Sequence, residues 1–185
     1  MIDILDTILG WAPEEEEGPV YAATVVSIEG SAVRGVGATM AVSPGGCVAG
    51  SVSGGCIEPT LIKEIGRLRG ERRGEHRIFC PTDDDIFGAP SPCGGTVGVV
   101  MYPVDGRVAE ALALSRKRRE RPVWAVVCGG PDRHVGLSCC LRREPDAGGS
   151  FVFSRGAGGE EAPYELSAAA EELLREEERE GLVES

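Results

Sequence analysis

The sequence predicts an α/β fold in which helices pack against a mixed, twisted β-sheet. Short apolar runs rich in Val, Ala and Tyr have the length and composition of strands. Two other segments, 58–69 and 108–118, carry apolar residues at helical spacing. Because strands and helices follow one another along the chain, packed layers of both are expected. The length of 185 residues fits one domain, or one domain built from two similar halves.

The first part of the chain combines one helix with three strands. Residues 2–11 have the pattern of an amphipathic helix and lack the basic start of a signal peptide. An acidic linker leads to a strand at 20–28, and shorter strands follow at 38–42 and 47–52. The intervening Ser43-Pro44-Gly45-Gly46 has the composition of a hairpin turn, so we expect these two strands to pair.

A helix at 58–69 comes next, because its apolar residues recur at helical spacing. Pro59 suits the first turn of this helix, and Gly70 suits its C-terminal cap. The same patterns predict the remaining elements, which are strands at 76–80, 96–102, 123–127, 135–142 and 151–154 and helices at 108–118 and 165–179.

Composition and charge argue against several classes of protein. A net charge of −11 opposes nucleic-acid binding, which depends on Lys and Arg that neutralise phosphates. No apolar stretch reaches the length of a membrane span. The seven cysteines are odd in number and include no CxxC pair, so we expect reduced thiols, and neither a disulfide framework nor a structural zinc site. We therefore expect a cytoplasmic protein without nucleic-acid or membrane partners.

The strongest functional signal lies between Gly30 and Glu58, where eight glycines, one arginine and two cysteines follow an apolar strand. Glycines at this density weaken a strand, so we expect positive φ angles or close backbone approach to a bound molecule. Gly54-Gly55-Cys56 leads into the N-terminus of the helix at 58–69. Free N–H groups there favour anions, so phosphate is the predicted ligand. The alternative is a set of tight hairpin turns without a ligand.

A weak internal sequence repeat predicts a degenerate duplication. The segment GPVYAATVV at 18–26 is similar in sequence to RPVWAVVCG at 121–129, and residues 37–40 have a counterpart at 136–139. We expect a motif-bearing half, residues 1–104, and a degenerate second half, residues 105–185. Chance similarity of two apolar strands is the alternative.

Four motifs between Ala23 and Val104 resemble, in the expected order, the signatures of a known family. They are ATVVSIEGSAVRGVGATMAV, GCVAGSVSGGCIE, TDDD and CGGTVGVVMYPV. The sequence is similar to the amino-terminal domain of the XdhC/CoxI proteins, accessory factors for molybdenum hydroxylases. Val33 departs from the family, which usually has proline there. Family members often continue into a carboxy-terminal Rossmann domain, but no GxGxxG turn between a strand and a helix occurs here, so its redox chemistry is not expected.

The resemblance implies a maturation factor that binds molybdenum cofactor (molybdopterin) as cargo. Such a factor assists cofactor sulfuration or insertion into an apo-hydroxylase of the xanthine dehydrogenase or carbon monoxide dehydrogenase type. We expect the cofactor's phosphate at the helix start, with Arg34 as its charged partner, and backbone amides at the pterin edge. A thiolate suits molybdenum or its sulfur ligands, and Cys93 is the first candidate, with Cys56 the second.

No catalytic residue is predicted. The predicted cofactor-binding residues are Gly30, Ser31, Arg34, Gly37, Gly50, Ser51, Ser53, Gly54, Gly55, Cys56, Glu58, Cys93, Gly94 and Gly95.

Several of these residues also have a structural interpretation. Free cysteine is commonly a small buried packing residue. Arg34 also suits an ion pair with an acid, and Glu58 suits the first turn of a helix, where the dipole favours an anion. The acidic run Asp83–Asp85 suits caps and solvent-facing charge better than a cation site.

Two other functional classes stay open. One is a protein-interaction module for a hydroxylase or for a separate Rossmann-domain subunit. The other is a cysteine-dependent enzyme, although neither His76 nor His134 has a motif that ties it to a cysteine. A homodimer is expected by analogy with accessory factors that carry exchangeable ligands.

Overall fold

The computed structural model describes residues 4–11, 18–80, 95–119, 123–129, 134–144 and 148–153. The helices of this part of the chain are α1 (Leu5–Gly10), α2 (Glu58–Glu71) and α3 (Gly106–Lys117). The strands are β1 (Tyr21–Glu29), β2 (Thr39–Val42), β3 (Val48–Gly50), β4 (Glu75–Phe79), β5 (Thr96–Pro103), β6 (Val123–Val126), β7 (Ser138–Glu144) and β8 (Gly148–Phe153). None of the described helices has the length and apolar character needed to cross a membrane.

The strands form two sheets, which confirms the predicted α/β class. The larger sheet has the order β3-β2-β1-β5-β4, and the smaller has the order β6-β7-β8. Every pairing in the described part is antiparallel, so the predicted mixing of strand directions does not occur there. The loop 30–38 joins β1 to β2, a shorter turn joins β2 to β3, and α2 carries the chain from one edge strand to the other.

One face of the larger sheet packs against α2. Alternate residues of β1, namely Tyr21, Ala23 and Val25, are fully buried on this face, as period-two alternation requires. Helix α2 starts at Glu58, with Pro59 in its first turn as predicted. It ends later than predicted. Gly70 lies inside the helix, and Arg72, at φ 51°, forms the C-terminal cap.

The opposite face of the larger sheet packs against the smaller sheet. Ala22, Val100 and Tyr102 are buried there, with Trp124 and Cys128 of the second half packed against them. The rings of Tyr102 and Trp124 meet edge to face, with centroids 5.9 Å apart and an interplanar angle of 82°. The larger sheet is therefore covered on both sides.

The predicted hairpin is present, but its second strand is shorter than predicted. The amide of Ser43 donates to the carbonyl of Cys47 at 2.8 Å, which closes the turn between β2 and β3. Strand β3 ends at Gly50, where φ is +78° and a Cβ atom would lie 2.3 Å from the carbonyl oxygen of Thr39. The chain then turns away from the sheet through residues 51–57, which build part of the site described below.

The two halves share a local pairing pattern. The order β1-β2-β3 in the first half corresponds to β6-β7-β8 in the second. The Gly37 amide donates to the Val25 carbonyl at 2.8 Å, and the Gly136 amide donates to the Val127 carbonyl at 2.9 Å. These contacts align Val25 with Val127, one residue away from the alignment by sequence. The pattern supports the predicted duplication, which stays a prediction because the helix expected at 165–179 lies outside the described residues.

Candidate functional site

The loop 51–57, called the first loop below, surrounds the carboxylate of Glu58 in the first turn of α2. Its Oε1 accepts hydrogen bonds from the Ser51 hydroxyl at 2.7 Å and from the amides of Val52 and Ser53 at 3.1 and 2.9 Å. Its Oε2 accepts from the Gly55 amide at 2.9 Å and from the Ser53 hydroxyl. Five donors therefore converge on one side chain.

Two further amides of the loop are also satisfied internally. The Ser51 hydroxyl oxygen accepts from the Gly54 amide at 2.9 Å, and that of Ser53 accepts from the Ile57 amide at 3.0 Å. The amides predicted to bind a ligand's phosphate at Gly54-Gly55 are thus occupied by the chain's own side chains. A phosphate placed there has to displace Glu58.

Glu58 stays charged at neutral pH. Burial acts to raise its pKa, but hydrogen bonds from Ser53, Ser51 and the backbone outweigh burial and lower the pKa to about 2. The loop therefore surrounds a fixed negative charge, and that charge holds the loop in shape.

A second loop, residues 30–37, lies beside the first. Its end is fixed because the Thr39 hydroxyl donates to the carbonyl of Gly37 at 3.0 Å. Within it, Val33 is 63% exposed and touches Gly54, where a Cβ atom would lie 3.3 Å from the Val33 Cγ1. Arg34 is exposed and makes no hydrogen bond or ion pair with any residue in the described ranges.

The start of β5 is pressed against this second loop. A Cβ atom on Gly95 would lie 2.2 Å from the carbonyl oxygen of Ser31, so the backbone approaches as closely as only glycine allows. Gly95 follows Cys93 by two positions in the sequence. Cys93 and Gly94 themselves lie outside the described residues, as do Asp83–Asp85.

A pocket opens between the two loops and the ends of β4 and β5. The volume of the pocket, including the open space at its mouth, is about 370 Å³. Most of its wall is apolar, and two half-buried thiols belong to it. The lining residues are Ala32, Val33, Val52, Ser53, Cys56, Ile57, Phe79, Cys80, Gly95 and Val97.

The structure brings several predicted residues together and separates others. Ser53, Cys56 and Gly95 line the pocket, while Ser31 and Gly54 touch lining residues. Ser51 and Glu58 stabilise the first loop through the hydrogen bond between their side chains. The remaining predicted residues shape or border the site, with Gly30, Gly37 and Gly50 at turns of positive φ and Arg34 on the surface next to Val33.

Cys80 lines the pocket although the sequence did not single it out. It follows the last residue of β4, beside the strand that begins after Cys93-Gly94-Gly95. Only the pairing of β4 with β5 brings it to the pocket, and that pairing is not visible in local sequence. No group of three metal-ligating side chains occurs within the described ranges.

Comparison with known proteins finds a family model that matches part of the chain. Residues 14–78, which include both loops around the pocket, match the model of the XdhC and CoxI family. This matched segment is similar to the XdhC and CoxI family. The resemblance inferred from the motifs is confirmed, and the match covers Arg34, Cys56 and Glu58.

Two relatives are named for molybdenum cofactor insertion and for xanthine dehydrogenase. The molybdenum cofactor insertion chaperone PaoD of Escherichia coli (strain K12) is 32% identical over 120 residues, which cover 63% of this chain and 37% of PaoD. A probable xanthine dehydrogenase subunit from Bacillus subtilis (strain 168) is 34% identical over 99 residues, which cover 52% of this chain and 28% of that protein.

A solved structure has the same fold. The crystal structure of a xanthine dehydrogenase from Bacillus halodurans matches with a TM-score of 0.65 and 25% identity, over 83% of this chain and 44% of that one. The chain thus spans less than half the length of each of these three proteins.

Proposed function

We propose that the chain binds molybdenum cofactor as cargo and assists its insertion into a molybdenum hydroxylase. The observation that carries the proposal is the pocket between residues 30–37 and 51–57, because both loops lie within the family match. The name of PaoD, a molybdenum cofactor insertion chaperone, supports the same role. The pocket belongs to a carrier, and we assign no catalytic residue.

The thiols in the pocket extend the proposal to sulfuration of the cofactor. Thiolates are soft ligands that suit molybdenum and its sulfur ligands, and Cys56 lies in the pocket wall. Cys93, the first candidate by sequence, lies outside the described residues and stays a prediction. The proposed client is a hydroxylase of the xanthine dehydrogenase or carbon monoxide dehydrogenase type, and the names of the Bacillus subtilis relative and of the solved structure support the first of these.

A transfer experiment tests the carrier function. The purified chain, loaded anaerobically with molybdenum cofactor, is mixed with a cofactor-free hydroxylase and a molar excess of a second, cofactor-accepting protein as a trap. A carrier activates the hydroxylase despite the trap. Cofactor alone, at the same concentration, activates it far less. Equal activation by the chain and by free cofactor contradicts the proposal.

A protein-interaction module is the second candidate function, favoured by exposed apolar residues beside the pocket. Val33 and Val36 are 63% and 64% exposed and lie on either side of Arg34, which has no partner in the described ranges. Pull-down of the hydroxylase distinguishes the two functions. A module captures equal amounts from cells with and without the cofactor, whereas capture by a carrier changes with cofactor supply. A homodimer and a separate Rossmann-domain subunit stay predictions, for which the solution mass and the same pull-down are the tests.

A further inference from the structure

The smaller sheet has one covered face and a second face on which apolar residues stand in register. On the covered face, Trp124 packs on Tyr102 of the larger sheet, and the fully buried Cys140 belongs to the same hydrophobic cluster as residues of α3. Successive residues of a strand alternate between the two faces of a sheet. The pairing registers therefore give the second face two rows across β6, β7 and β8, namely Val123-Leu141-Phe151 and Ala125-Cys139-Phe153.

We infer that residues 165–179, which lie outside the described part of the chain, form a helix that packs on this second face. All six positions of the two rows are apolar. Ala125 and Val127, which follow one another on this face, are only partly buried and belong to none of the hydrophobic clusters of the described residues. Such a face needs a cover, since monomeric proteins rarely leave large contiguous apolar patches in water.

The first half of the chain shows which segment covers such a face. The Val25 amide donates to the Ala38 carbonyl at 2.9 Å, and the Val127 amide donates to the Leu137 carbonyl at the same distance. The glycine before each acceptor has a φ of +85°. This shared geometry equates Val127 with Val25, which is buried on the face covered by α2. Because α2 is the helix that follows β3, the equivalent cover of the second half is the helix predicted after β8.

Residues 165–179 have the pattern and the reach for this position. Their apolar residues fall at i, i+3, i+4, i+7 and i+8, which make one stripe of a helix, namely Leu166, Ala169, Ala170, Leu173 and Leu174. Such a stripe is about 12 Å long, and three strands span about 10 Å, so the two surfaces match in size. The connection from Phe153 to Glu165 has eleven residues, whereas seven are enough between Gly50 and Glu58, where α2 begins.

Alkylation of two neighbouring cysteines in the full chain tests this packing. The register places Cys139 on the second face and Cys140 on the covered face, so their rates of reaction with N-ethylmaleimide, separated by mass spectrometry, report on one face each. The exposed Cys47 is the reference for an unprotected thiol. In the unchanged chain, Cys139 and Cys140 should both react at least about tenfold more slowly than Cys47, at rates that do not depend on protein concentration.

A matched pair of substitutions identifies the segment that gives the protection. A170D places a carboxylate in the apolar stripe, whereas A168D makes the same change on the opposite side of the helix. A buried carboxylate without a partner is costly, so A170D should raise the Cys139 rate at least about tenfold and leave the Cys140 rate unchanged. A168D should change neither rate. If a raised Cys140 rate shows that A170D is unfolded, the milder L173A should give the same selective increase at Cys139.

Four results overturn the inference. Reaction of Cys139 as fast as Cys47 in the unchanged chain means that the second face is uncovered. Protection of Cys139 that survives both A170D and L173A means that another segment covers the face. Equal increases in A168D and A170D mean that the apolar stripe does not make the contact. Protection that rises with protein concentration assigns the cover to a second copy of the chain.

Discussion

Replacing Glu58 by Gln removes the charge on which the loop 51–57 is built. Glutamine keeps one acceptor oxygen but presents an NH₂ group where the other carboxylate oxygen stood. The donors now facing Oε2, the Gly55 amide and the Ser53 hydroxyl, then lose their acceptor. We expect a destabilised chain with a disordered or rebuilt pocket wall, because Ser53 and Cys56 line the pocket.

The magnitude follows from the pKa of Glu58. Its fall from 4.5 to about 2 corresponds to about 3 kcal/mol of folding free energy at neutral pH. The side chain is only partly buried, and solvent screening reduces this figure to about 1–2 kcal/mol. For a chain of this size, E58Q should therefore lower Tm by about 3–6 °C.

The pH dependence gives the sharper assay. Since the folded pKa lies below the unfolded one, the stabilisation is fully present above about pH 4.5 and disappears as pH falls toward 2. Urea unfolding of the unchanged chain and E58Q is measured between pH 7 and pH 3, with E110Q on the exposed face of α3 as the control. The difference in unfolding free energy between the unchanged chain and E58Q should fall to less than half of its pH 7 value near pH 3. A difference that is absent at pH 7, or constant with pH, refutes the reasoning.

Two glycine substitutions test the backbone contacts around the site. G50A places a Cβ atom 2.3 Å from the Thr39 carbonyl oxygen at a φ of +78°, so urea unfolding should show a loss above about 2 kcal/mol. The matched control is G46A, where φ is +84° and a Cβ atom meets nothing within 4 Å, so this variant should lose only about 1 kcal/mol of unfolding free energy. Equal losses in G50A and G46A contradict the close approach at Gly50. G95A places a Cβ atom 2.2 Å from the Ser31 carbonyl oxygen and should weaken cofactor binding about tenfold by moving the loop 30–37, whereas unchanged affinity in a folded variant separates that loop from the site.

Local sequence was enough to predict the elements that frame the site. Strand β1 follows from its apolar run rich in Val, Ala and Tyr, and helix α2 follows from the helical spacing of its apolar residues. The turn between β2 and β3 follows from Ser43-Pro44-Gly45-Gly46. The glycine-rich segment was correctly expected to need positive φ, which Gly30, Gly54 and Gly55 adopt, among others. These features depend on neighbours within a few residues of one another.

The interior of the site depends on contacts that sequence does not display. The sequence predicted Glu58 in the first turn of a helix whose start binds a phosphate. In the structure, the Glu58 carboxylate itself accepts the hydrogen bonds of the loop's amides. It does so because positive φ at Gly54 and Gly55 turns the chain back over this side chain. Cys80 and Gly95 reach the pocket through the pairing of β4 with β5 and the packing of β5 on the loop 30–37. Such long-range contacts have no local pattern.

The most direct test of cofactor binding in this pocket is an anaerobic titration with molybdenum cofactor. It compares the unchanged chain with A32F, which fills the pocket with a phenyl ring, and with L114F, which adds the same ring on α3. Circular dichroism confirms that each variant is folded. We predict saturable binding at one site, at least about tenfold weaker in A32F and unchanged in L114F. No saturable binding to the unchanged chain, or equal binding by A32F, contradicts the account.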